Sequence, residues 1–146
     1  MAKFRYRMQN ILNVKEKLEN QARNDFAVAV AKVNEEEEKL CQLNDRLAEY
    51  EAQLKILYAD VLDVLKIKEA QDAIEVLKYH VQLQKVALSV ANQQLDVARS
   101  KLTVAIQERK THEKLKEKEF DEFRAEEAAK ESKEIDELVS FRHTQD

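Results

Sequence analysis

Glycine and proline are both absent from this chain of 146 residues. A globular domain turns often, and turns recruit Gly for positive φ and Pro for a fixed φ. Average usage would supply about 7% Gly and about 5% Pro. Losing both leaves room for very few turns. Charged residues make up 37% of the chain, the composition of long helices packed along a seam. The expected fold class is all-α, a long antiparallel two-helix coiled-coil hairpin. Its architecture is a rod that reaches, braces or binds.

The net charge of −4 argues against general binding of nucleic acid. Cys41 is the single cysteine, so no disulfide forms within the chain, which suits a reducing compartment. No apolar run approaches the roughly 18 residues of a membrane span. The basic start, Lys3, Arg5 and Arg7, leads into no uninterrupted apolar region, so a secretory signal is rejected and a cytoplasmic setting expected.

Two apolar seams of alternating three- and four-residue steps organise the chain. The first runs from Phe26 through Ala29, Val33, Glu36, Leu40, Leu43, Leu47, Tyr50, Leu54 and Leu57 to Val61 and Val64. Backward it continues through Ala22, Leu18, Lys15, Ile11, Met8 and Phe4, with a stutter at Leu18–Ala22–Phe26. The second takes Ile74, Leu77, Val81, Gln84, Leu88, Ala91, Leu95, Ala98, Leu102 and Ala105. It resumes less regularly at Leu115, Phe120, Phe123, Ala128, Ile135 and Leu138. From Gln107 to Glu119 only Leu115 is apolar, so that stretch is expected to pack weakly or stay exposed.

Asp72, with Glu75 three residues on, reads as a variant capping box. One domain over 1–146 follows: helix one at about 3–65, a reversal at about 66–72 and helix two at about 73–140. Folding back there lays the basic start beside the acidic end, and flanking charges select orientation. One continuous helix that dimerises is the alternative.

No constellation for catalysis or metal binding stands out, and none for a cofactor. His80, His112 and His143 lie far apart in sequence, and a phosphate-cradling loop needs glycine. The run Glu35 to Glu38 points in different directions on a helix and reads as a solvated face.

Apolar surface beyond the seams is plentiful. Val76, Tyr79, Leu83, Val86, Val90, Val97 and Val104 fall at c and f positions when Ile74 is a. Ile56, Tyr58, Leu62, Leu65 and Ile67 likewise lie off the first seam. Either a partner or self-association into a four-helix bundle would cover them.

Several stretches resemble the FliJ family of bacterial flagellar export proteins. They are the opening Phe4-Arg5-Tyr6-Arg7-Met8-Gln9-Asn10-Ile11-Leu12 with Lys15-Glu16-Lys17-Leu18-Glu19, then Glu108-Arg109-Lys110, Lys114-Leu115-Lys116-Glu117-Lys118 and Lys133-Glu134-Ile135-Asp136-Glu137-Leu138. The resemblance implies a non-enzymatic, stalk-like component of the export apparatus. It would associate with the export ATPase hexamer, with the cytoplasmic domain of the export gate membrane protein, and with substrate chaperones. The free chain would be a monomer, held peripherally at the cytoplasmic side of the membrane through the apparatus. By likeness to rotary stalks, the expected ATPase-ring contacts are Phe4, Arg5, Arg7, Met8, Ile11, Leu12, Ile135 and Leu138. The expected gate or chaperone contacts are Tyr58, Leu62, Leu65, Tyr79, Leu83 and Val86. A central stalk subunit of a rotary ATPase and a self-assembling structural coiled coil are the competing readings.

Overall fold

A computed structural model describes residues 2–145, which form two helices and no strand. Helix α1 spans Gln9–Ala59 (51 residues) and α2 spans Val64–Gln145 (82 residues). Together they form the antiparallel coiled-coil hairpin. Two compact units make up the chain: residues 22–102, and residues 1–21 with 103–146.

In the 22–102 unit the seams match the sequence pattern closely. Every position from Phe26 to Leu57 on the three–four ladder is buried or half-buried, as is every position from Ile74 to Leu102. The reversal, however, occupies residues 60–63 and not 66–72. Ile67 and Ala70 are half-buried at heptad positions that continue backward from Ile74, so a break there would forfeit their packing. Asp63 caps α2: its carboxylate accepts from the Lys66 backbone N–H at 3.3 Å and its carbonyl from that of Ile67 at 3.0 Å. Val61, in the reversal, and Val64, the first residue of α2, were expected on the seam and are exposed, Val61 at 88%. No described residue has a positive φ, so this reversal makes no demand for glycine.

In the other unit, residues 2–8 precede α1 without helical structure, so helix one begins later than about residue 3. The expected stutter does not occur. Glu19 is buried in place of Leu18, and Leu12 (3% exposed) in place of Ile11. The ladder Leu12, Lys15, Glu19, Ala22, Phe26 therefore keeps unbroken three–four steps. On α2 the ladder likewise runs on through Arg109, His112, Lys116, Glu119 and Phe123, all half-buried. Leu115 and Phe120 are exposed instead, and the stretch expected to pack weakly packs through polar side chains. Residues 128–145 are helical and exposed throughout.

Candidate functional site

With ladder positions lettered a and d, the polar residues on the seams meet one another. In the 22–102 unit, the amide of Gln84 (d) donates both to the Glu36 carboxylate and, at 3.0 Å, to the Glu36 carbonyl. Lys32 approaches the same carboxylate at 3.0 Å and Lys39 at 3.6 Å. The hydrogen bond from Lys32, then that from Gln84, holds the Glu36 carboxyl below its ordinary value against the opposing effect of burial. Lys39, bonded to Glu35 at 3.1 Å, is raised mainly by that hydrogen bond.

In the other unit, Arg109 (a) donates to Glu19 (a) at 2.5 Å and to Glu113 at 2.7 Å. These contacts raise the guanidinium further, with the Glu19 hydrogen bond the largest cause. Lys15 (d) reaches Glu108 at 2.9 Å. A buried ion pair fixes register more than it stabilises, because desolvation offsets the attraction.

The eight expected ring contacts divide into two groups. Phe4, Met8 and Leu12 face inward. The Phe4 ring lies 5.1 Å from Phe120 and 5.4 Å from Phe123, and Leu12 is buried. Arg5, Arg7 and Ile11 are exposed, with Arg5 and Arg7 lining a cavity that Glu119, Glu122 and Glu126 share. Ile135 and Leu138 are exposed as well, but they do not oppose residues 4–12. Ile135 lies twelve residues beyond Phe123, about 18 Å farther along α2. Val139 and Phe141 are similarly exposed. Sequence reading passed over them, although Ile135, Leu138 and Val139 have the i, i+3, i+4 spacing of one apolar face.

The six expected gate or chaperone contacts are all exposed. Tyr58, Leu62 and Leu65 gather at the reversal, where the Tyr58 hydroxyl accepts from Gln71 at 2.7 Å. Tyr79, Leu83 and Val86 form a separate patch, since Tyr79 lies fourteen residues beyond Leu65, about 21 Å along the helix. Ile67, expected off the seam, packs into it.

Among the described residues, no group of three or more His, Cys, Asp or Glu is placed to hold a metal ion. No helix of the described residues is long and apolar enough to cross a membrane. The chemistry on display is that of helix packing and surface contact.

The fold has a solved counterpart in a YscO homologue from Chlamydia trachomatis. The two superpose with a TM-score of 0.54 over 97% of this chain and 96% of the other, at 24% identity, a likeness of fold. No curated protein matches the sequence. The family model described as flagellar FliJ protein matches residues 4–146. With nearly its whole length matched, in a helical hairpin of the same architecture, this chain belongs to the FliJ family of flagellar proteins.

Proposed function

We propose that this flagellar export component carries out no chemistry of its own and couples the export ATPase hexamer to the export gate and to substrate chaperones. One observation carries the reading: each unit exposes large apolar side chains that its own seam does not use. Family membership supplies the partners. Residues 135–141, with Arg5, Arg7 and Ile11, are assigned to the ATPase ring, and Phe4, Met8 and Leu12 support that end by packing. The reversal and the Tyr79–Leu83–Val86 patch are assigned to the gate or a chaperone. Association with the membrane is peripheral, through the apparatus.

The experiment is a paired one. Ile135→Ser with Leu138→Ser alters exposed side chains, so helicity should persist while stimulation of the export ATPase falls. Tyr79→Ser with Leu83→Ser should abolish binding to the gate's cytoplasmic domain and spare ATPase stimulation. Full retention of both activities in both variants would contradict the reading.

A further inference from the structure

We infer that residues 3–8 form a two-state strap. Extended, they press their aromatic side chains onto α2. Helical, they continue α1, turn those side chains outward and uncover Phe120 and Phe123. The switch belongs to the chain alone, so its test stands apart from that of ATPase coupling.

Two patterns overlap on these residues. The first has a period of two. Phe4, Tyr6 and Met8 alternate with Lys3, Arg5 and Arg7, the spacing of an extended chain laid on a face. The structure holds that state. Phe4 and Met8 are half-buried, Tyr6 is only 5% exposed, and the three basic residues are exposed. The Phe4 ring packs on both Phe120 and Phe123. The second pattern has the period of the helical ladder. From Leu12, a step of four and then one of three lead back to Met8 and Arg5. Ten residues outward from the Lys15–Glu108 pair, residue 5 falls opposite residue 118, next to the ladder acid Glu119. On that frame Phe4 is in phase with Ile11 and Tyr6 with Asn13, both exposed. A helix here would therefore turn both rings away from α2.

No local signal fixes the start of α1 at Gln9. The Met8 carbonyl accepts the first helical hydrogen bond, from the Leu12 N–H at 3.1 Å. Met8 thus holds the capping position, and its side chain has no oxygen to offer the free N–H groups. The first turn of α1 carries no acid. Residues 2–8 contain neither Gly nor Pro, and Lys, Arg and Met are good helix formers. The boundary is set instead by what the strap buries, and that packing is imperfect. The Tyr6 hydroxyl is buried with no hydrogen-bond partner among the described residues, which destabilises the extended state. Arg5 and Arg7 line a cavity of about 500 Å³ with Glu119, Glu122 and Glu126, yet close no ion pair with them. The helical state gains backbone hydrogen bonds and aims Arg5 toward Glu119. Against it stand the lost burial of Phe4 and Tyr6, and three cations that oppose the dipole at a helix N-terminus. Each state carries a cost that the other lacks, the condition for an element that a small change can tip.

NMR spectroscopy of the full chain tests the switch. In the native chain, residues 3–7 should have non-helical Cα chemical shifts, and the Phe4 ring should show NOEs to Phe120 and Phe123. Tyr6→Gln replaces the most buried anchor by a good helix former. In that variant residues 3–8 should acquire helical shifts, and the Phe4 NOEs should vanish with the change. Tyr6→Phe removes only the unpaired hydroxyl and should keep the NOEs and the extended shifts. Random-coil or unchanged shifts in Tyr6→Gln would overturn the proposal, because no second state would then exist. Phe4 NOEs that outlast the change to helix would overturn it too. So would release of the strap in Tyr6→Phe, by showing that the hydroxyl holds it in place.

Discussion

The 22–102 unit and the unit of residues 1–21 with 103–146 share one heptad frame but fill it differently. In the first, Val33, Ile74, Leu77, Val81 and Ala91 are buried, and Glu36 with Gln84 is the polar exception. In the second, Lys15, Glu19, Arg109, His112, Lys116 and Glu119 occupy ladder positions. Burial is periodic in both, while hydrophobicity is periodic in only one. Where the apolar signal lapses, Lys15–Glu108 and Glu19–Arg109 join the helices, ion pairs whose desolvation offsets their attraction and which fix register more than they stabilise. An apolar seam draws on area removed from water and is indifferent to salt.

The largest expected contrast lies between a seam residue and an exposed one of the same type. Leu77→Ala, at a buried position, should cost roughly 2–4 kcal/mol in chemical denaturation. Leu138→Ala, on the exposed part of α2, should change stability by less than about 0.5 kcal/mol. Comparable losses would erase the distinction between seam and exposed faces.

Next in size is the polar ladder. Arg109→Met leaves the Glu19 carboxylate buried without its partner guanidinium, so backbone amides of residues 105–120 should exchange roughly tenfold faster, and those of 74–98 should not change. Adding Glu19→Leu should restore protection. In the apolar unit, Gln84→Leu alone should lower the denaturation midpoint, while Glu36→Leu with Gln84→Leu should raise it above the native value. A raised midpoint in the single variant would mean that the Glu36 layer has no need of its amide.

The smallest effect is that of acid. The Glu36 carboxyl is held below the usual 4.5 in the folded chain. Its contribution is complete above that unfolded value and is lost as pH falls through the lower folded one. Glu36→Gln should therefore flatten the drop in midpoint between about pH 5 and pH 3. An unchanged drop would shift the acid response to other carboxylates.

Much of this was legible in the residues. The two helices, the hairpin, and both ladders over 26–57 and 74–105 follow from composition and spacing, because apolar side chains mark the buried face at every ladder position but Glu36 and Gln84. The register of residues 11–19 was not legible by the same signal. Leu18 outscores Glu19 on hydrophobicity, and only the pairing of Glu19 with Arg109 across the seam shows why the acid is inside. Leu115 and Phe120 misled for the same reason against Lys116 and Glu119. The reversal lies earlier than Asp72 suggests because Asp63 caps α2. Ile67 and Ala70, in phase with Ile74, were the signal that the helix starts earlier. The exposed stripe of α2 was visible as apolar residues off the seam.

The central claim, one frame filled by two chemistries, is tested most directly by backbone hydrogen exchange at low and at high sodium chloride. Screening should speed exchange most for residues 105–120, where Glu19–Arg109 and Lys15–Glu108 join the helices, and least for residues 43–57 and 67–81, whose ladder is apolar and lies away from the Glu36 ion pairs with Lys32 and Lys39. An equal response along both units, or faster exchange confined to the apolar seam, would contradict it.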